Sequence, residues 1–261
     1  MAVTFDRHPF SVVAPQAVPP SLDDNDERLK RLRECGLVER VEVLKFDDGL
    51  RSLTAAQFME RLYAIGVRAL LMGYDNSFGS DRLHGLEHYR EIGDRIGIKV
   101  FESESVVKEG GFAVSSSVIR RLLGDGDVVL AERMLCRPYS LDGPVTRGRG
   151  EGRLLGFPTA NIAVDPSRCI PKPGVYAATA TCDAFEGAKP AMVNIGTCPT
   201  LTDGRKMTIE ANIIGYEGDL YGRKMEIAFN RRLRDERKFG SVDELVAQLK
   251  SDREAVIGHG S

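Results

Sequence analysis

Between Gly143 and Asn161 the chain reads G-P-V-T-R-G-R-G-E-G-R-L-L-G-F-P-T-A-N. Glycines 148, 150 and 152 alternate with Arg147, Arg149 and Arg153. Glycine lets a backbone come close to a ligand, because no Cβ stands in the way. Successive backbone N–H groups in such a turn form a concave anion site, and arginines add charge-assisted donors for phosphate oxygens. Thr159 and Asn161 are two residues apart, so an extended chain points both side chains the same way. Their oxygens suit a hard cation such as Mg²⁺. Two neutral ligands hold such an ion only when it arrives with the phosphates of a nucleotide. The competing reading is a glycine-rich surface turn with solvated arginines. No Gly-Lys-Ser/Thr follows, so the segment is not a Walker A loop.

Glu210 lies in T-I-E-A-N, where Ile209 points to the opposite face of a strand. A carboxylate beside an alcohol can orient it and accept its proton during phosphoryl transfer. The competing reading is an exposed strand glutamate. Arg234-Asp235-Glu236-Arg237-Lys238-Phe239 sets cations beside an aromatic, and a run of this kind is ordinarily a solvated loop.

These segments resemble riboflavin kinases. The likeness rests on L-G-F-P-T-A-N (155–161) after the glycine loop, G-V-Y (174–176), N-I-G-T-C-P-T (194–200), T-I-E-A-N (208–212), D-L-Y-G (219–222) and R-L-R-D-E-R-K-F (232–239). The resemblance implies ATP as co-substrate, bound by Gly148, Gly150, Gly152, Arg153, Thr159 and Asn161. It implies Mg²⁺ on Thr159 and Asn161, and Glu210 as catalytic base for the 5′-hydroxyl of riboflavin. It implies flavin contacts from Arg234, Glu236, Lys238 and Phe239, with FMN as product. Asp142 and Asp219 read as turn residues.

A small antiparallel barrel has to carry these residues. From Tyr139 on, short strands alternate with Gly and Pro, clearest at 174–181, 191–194, 208–214 and 225–229. Ser241-x-x-Glu244 opens a last helix whose apolar face is Val242, Leu245, Val246 and Leu249.

The residues before the barrel alternate strand and helix patterns. Strands read at 2–5, 41–46, 68–72 and 99–102, and helices at 24–35, from Thr54-x-x-Gln57, at 82–96 and at 127–136. This alternation predicts a parallel sheet covered by helices, whose ligands bind beyond the strand ends. Gly73–Gly79 falls at such an end, and Ser115 or Ser116 caps a helix whose Val118, Ile119 and Leu122 face the core. With the opening T-F-D-R-H-P, these segments resemble the Rossmann-like nucleotidyltransferase half of bifunctional riboflavin kinase/FAD synthetases. There, the positions of Asp75, Phe78, Gly79, Ser115, Ser116, Ser117 and Arg120 line the nucleotide site. Asn76-Ser77 departs from the usual aromatic-basic pair, and Ser117 stands for a threonine.

That family's first strand carries G-x-F-D-G-x-H-x-G-H, and this chain contains no H-x-G-H. The chain is therefore expected to begin at the family's second strand, as a truncated adenylyltransferase domain over 1–136 followed by a riboflavin kinase domain over 137–261. The resemblance then implies no adenylyl transfer to FMN by this chain as it stands. An upstream start carrying the histidines would make the protein fully bifunctional. A flavin-binding or regulatory module without turnover is a second alternative. A dinucleotide-dependent oxidoreductase is a third, opposed by the lack of a strand running into G-x-G-x-x-G. His84-Gly85-Leu86-Glu87-His88 matches H-x-x-E-H, a zinc pattern, but Gly85 weakens the helix and no third ligand is evident.

Composition narrows the classes. With 261 residues, 42% of them hydrophobic, the chain supports one large or two ordinary domains. A net charge of −2 gives no global basic field for nucleic acid. No apolar run approaches a membrane span, and no signal peptide is visible. The five cysteines are scattered and odd in number, which fits reduced thiols and a cytoplasmic location. No obligatory protein partner is evident.

Overall fold

The structure is a computed structural model, which describes residues 1–73, 77–103, 108–148, 150–199 and 205–258. The backbone packs as two compact units, residues 1–19 with 23–106, and residues 20–22 with 107–261.

The first unit runs β1 (Ala2–Phe5), α1 (Phe10–Val13), α2 (Asn25–Glu34), β2 (Val41–Leu44), α3 (Asp48–Arg51), α4 (Ala55–Ala64), β3 (Ala69–Met72), α5 (Leu86–Ile96) and β4 (Lys99–Glu102). Local chemistry sets the helix starts. Asp24 caps α2, and Thr54 with Gln57 forms the expected capping box on α4. α5 begins later than the apolar spacing predicts, because Arg82 and Gly85 both take positive φ before it (50° and 87°). The expected single parallel sheet is two parallel pairs. β1 pairs with β2, β3 pairs with β4, and no described strand hydrogen-bonds to both pairs. The pairs share one core, in which Phe58, Met59 and Leu62 of α4 and Tyr89 and Ile92 of α5 meet Leu44 and Met72. Leu71 and Phe101 stay 69% and 51% exposed, since nothing described covers that face of β3 and β4.

The second unit continues with β5 (Lys108–Glu109), β6 (Phe112–Ala113), α6 (Ser116–Asp125) and α7 (Val128–Leu135). Then come β7 (Tyr139–Thr146), α8 (Glu151–Leu154), β8 (Ala160–Ile162), β9 (Gly174–Cys182), β10 (Lys189–Pro199), β11 (Arg205–Ile213), β12 (Lys224–Arg234) and α9 (Val242–Ile257). Strands β7–β12 close into a six-stranded barrel in the order β10-β11-β8-β7-β12-β9, antiparallel throughout. Alternation explains the barrel. Tyr139, Leu141, Tyr176, Val193, Ile195, Ile209, Ala211, Ile227 and Phe229 fill one core, while the residues between them face outward. Helices α6 and α7 pack on this same core through Ile119, Leu122, Leu123, Val128 and Ala131.

On the outer face, Val175, Ala177 and Met192 pack with Phe157, Ile214 and Val256 of α9, with Val246 and Leu249 against them. Val242 is 62% exposed, so it is not on the buried face of α9 as its spacing suggests. The helix turns Asp252 and Val256 inward instead. Asp142 is likewise no turn residue. It sits within β7 opposite Glu226 and binds the buried Arg168 and the exposed Lys224.

Candidate functional site

Strand register builds the site. Glu210 of β11 stands opposite Asn161 of β8 on one side and Asn194 of β10 on the other. Their neighbours Ile209, Ala211, Ala160, Ile162, Val193 and Ile195 are buried in the barrel, so this row of three polar residues lies on the outer face. Just before β8, the Thr159 hydroxyl donates to the Glu210 carboxylate at 3.3 Å. Asn212, next on the Glu210 face, donates to the carbonyl of Pro158 at 2.7 Å and fixes the turn that presents Thr159.

The glycine loop lies directly on this segment. A Cβ at Gly148 would stand 2.0 Å from Asn161 Nδ2. One at Gly152 would stand 2.4 Å from the Phe157 carbonyl oxygen and 3.5 Å from Thr159 Cγ2. Gly150, at φ 72°, is the left-handed residue that starts α8. The loop and P-T-A-N therefore touch because glycines stand at the points of contact.

A cavity of about 290 Å³ opens on the outer barrel face, close to the smaller end of small-molecule sites. The barrel side contributes Thr159, Asn194, Glu210, Val175 and Met192. Gly152 and Phe157 come from the loop, Leu245 and Leu249 from α9, Arg234 from the end of β12, and Glu236, Arg237 and Phe239 from the segment after it. Glu236 accepts a 3.3 Å hydrogen bond from Asn194. A Cβ on Gly196 would stand 2.6 Å from the same carboxylate, so this glycine gives it room. Arg234 is held by Asp252, with Nη2 2.7 Å from Oδ2. Arg237 and Arg234 lie 4.7 and 5.8 Å from the centre of the Phe239 ring.

The cavity thus gathers Gly152, Thr159, Glu210, Arg234, Glu236 and Phe239, and Asn161 and Gly148 adjoin it through Glu210 and the loop contact. Arg153 and Lys238 are exposed and do not line it. Arg149 and Thr200 lie outside the described residues. Sequence reasoning passed over Asn194, Arg237 and Asp252 as site residues. Asn194 and Arg237 sit inside quoted motifs. Asp252 had one signal, an acid four residues after Gln248 on a helix with an apolar face.

The positions resembling a nucleotide site are divided between the two units. Phe78 packs on Phe58 and Tyr89 with ring centroids 5.0 and 4.6 Å apart. Tyr89 Oη also donates to the Phe78 carbonyl at 2.8 Å. Gly79, at φ 102°, is packed against Ala55 and Asp81. A second cavity, of about 370 Å³, lies beside these residues and is lined in part by Phe5, Phe46, Phe58, Phe78 and Gly79. In the other unit, Ser115 is the cap of α6, accepting from Val118 N–H at 3.3 Å. Ser116 and Ser117 are exposed in its first turn, and Arg120 Nε donates to the Pro20 carbonyl at 2.6 Å. Asp75 lies outside the described residues. His84 precedes α5, and His88 Nδ1 lies 2.9 Å from the His84 carbonyl. Neither belongs to a group of three metal-ligating side chains among the described residues.

Comparison with known proteins agrees with both halves. The riboflavin kinase family matches residues 135–258, and the FAD synthetase family matches residues 1–118. The bifunctional riboflavin kinase/FMN adenylyltransferase of Escherichia coli K12 is 33% identical over 97% of this chain and 80% of its own length. The protein of that name from Bacillus subtilis is 32% identical over 99% of this chain and 82% of its own. A crystal structure titled macrolide-efflux protein, from Streptococcus pneumoniae, is also similar, with a TM-score of 0.83 and 30% identity. It covers 97% of this chain and 82% of that one. No helix among the described residues of the present chain is long and apolar enough to cross a membrane.

Proposed function

The chain belongs to the bifunctional riboflavin kinase/FMN adenylyltransferase family, and on that premise we propose that the outer-face cavity of the barrel is where its riboflavin kinase activity takes place. The activity transfers the γ-phosphoryl group of ATP to riboflavin, giving FMN and ADP. The observation that carries the placement is the Thr159–Glu210 contact, with Asn161 and Asn194 beside Glu210 in register.

In this reading the glycine loop around Gly148, Gly150 and Gly152 takes the phosphates of ATP, with Arg153 at its exposed edge. Thr159 and Asn161 are neutral oxygen donors beside a carboxylate, a set that fits Mg²⁺. When bound there, the ion supplies charge neutralisation to the phosphate oxygens. Glu210 orients the 5′-hydroxyl of riboflavin and takes its proton as the new O–P bond forms. The bond from the γ-phosphorus to the β–γ bridging oxygen breaks, and ADP departs. Catalysis is then mainly positioning and electrostatic stabilisation. Phe239, Arg234, Arg237 and Glu236 form the wall that receives the isoalloxazine, and Lys238 stands outside it. The boundary near residue 136 is read as that between the two inherited activities, with α6 and α7 packed on the barrel side.

Incubating the protein with riboflavin and Mg·ATP and measuring FMN and ADP tests the activity. Glu210→Gln tests the placement. Turnover near the wild-type rate in that variant would move the site elsewhere. The sequence contains no H-x-G-H, and the same assay extended to FAD reads the second activity directly.

A further inference from the structure

We propose that Asp252, on α9, is a positioning residue that sets the flavin wall of the cavity without touching the ligand. The inference rests on the reading that this cavity seats riboflavin. Asp252 is an acid 4% exposed within a helix, and the phosphoryl-transfer chemistry does not use it. Its oxygens face the cavity wall. Arg234 Nε lies 3.2 and 3.0 Å from the two oxygens, and Arg234 Nη2 lies 2.7 Å from Oδ2. Gln248, one turn earlier on α9, donates to Oδ1 at 2.7 Å. Gln248 in turn accepts from Arg237.

One helix acid therefore fixes both arginines that flank the Phe239 ring. All three guanidinium nitrogens of Arg234 have a partner, since its Nη1 donates to the Asp235 carbonyl at 3.0 Å, and this holds the group in place. It acts as a planar spacer against Phe239, and the fork geometry that makes this possible belongs to arginine and carboxylate together. The backbone points the same way. β12 shifts register between Arg232 and Arg234, and Gly174 leaves space for the Arg234 carbonyl, 2.6 Å from where a Cβ would be. The strand thus bends where Arg234 turns to α9. A planar ring system binds tightly only to a wall already held in place, and α9 supplies both that hold and the lining residues Leu245 and Leu249.

The test is steady-state kinetics of the full chain with each substrate varied in turn. Asp252→Asn keeps the shape and removes the charge. Its KM for riboflavin is expected to rise about tenfold, a change of about 1.4 kcal/mol, with KM for ATP and kcat within about twofold of wild type. A merely structural role would instead lower kcat of the folded variant, or move both KM values together, and either result overturns the proposal. So does an unchanged riboflavin KM. If Asp252→Asn does not fold, Gln248→Ala decides, with an expected rise of about threefold in riboflavin KM alone; no rise there counts against the proposal. Phe239→Ala separates the two levels. An unchanged riboflavin KM in that variant removes the cavity reading itself, whereas a rise there with none in Asp252→Asn removes only the role of Asp252.

Discussion

The Thr159 hydroxyl and the Glu210 carboxylate meet at 3.3 Å across 51 residues of sequence. This contact joins the segment assigned to the metal and nucleotide with the carboxylate assigned to the alcohol. Glu210→Gln keeps the size of the side chain and its place opposite Asn161 and Asn194, but cannot accept a proton. We expect kcat to fall by about 10²–10⁴-fold with riboflavin binding retained, as read by single-turnover FMN formation and quenching of flavin fluorescence.

Gly152 is the point where the glycine loop passes over the Phe157 carbonyl, which would lie 2.4 Å from an added Cβ. Backbone cannot yield as a flexible side chain can. Gly152→Ala should lift the loop from P-T-A-N and lower kcat/KM for ATP by about tenfold or more. Gly187→Ala is the control. Its φ of 67° carries backbone strain of about 1 kcal/mol, but an added Cβ meets nothing within 4 Å, so Tm should fall slightly while the ATP parameters hold.

Arg168 is 3% exposed and binds Asp142 at 3.3 Å, the Ser140 carbonyl at 3.0 Å and the Leu22 carbonyl at 3.1 Å. Removing the guanidinium takes this donor from two carbonyls and leaves Asp142 to Lys224. Arg168→Ala should cost about 3 kcal/mol or more of stability, measured by denaturant unfolding of the second unit. A cost under 1 kcal/mol would show that water replaces the guanidinium readily.

Asp6 has its carboxyl held below the ordinary carboxylate range, chiefly by the backbone N–H of Phe46 and then by Arg7. The folded pKa is the lower one, so the contribution to stability is present above the unfolded value, about 4, and is lost as pH falls through the folded pKa. Asp6→Asn should therefore lower Tm at neutral pH, and the gap from wild type should close on acidification. A gap that stays constant with pH would assign the loss to something other than ionisation.

Cys169 is buried, and burial pushes its thiol above the ordinary range. Cys35 and Cys136 are exposed. Alkylation of the native protein at mildly alkaline pH should label Cys35 and Cys136 and spare Cys169, as mass spectrometry of the digests would show.

The sequence by itself determined the local and chemical parts. Alternation gave the barrel strands, and short-range signals at Thr54, Ser115 and Ser241 gave helix starts that the structure keeps. Thr159 and Asn161 were paired by their two-residue spacing, whereas Glu210, Arg234 and Phe239 stood out only through the motifs that resemble riboflavin kinases, since each alone reads as an ordinary strand or loop residue. Only tertiary structure decided which of these share a surface. Register, which depends on pairing between distant strands, placed Asn194 beside Glu210, and the path of the chain outside the strands left Lys238 and Arg153 off the cavity lining. Helix rotation, set by packing rather than by spacing alone, turned Val242 outward and Asp252 toward Arg234. Strand pairing divided the expected parallel sheet into two pairs. Each of these outcomes depends on contacts made across long stretches of chain, and no local pattern of residue types encodes them.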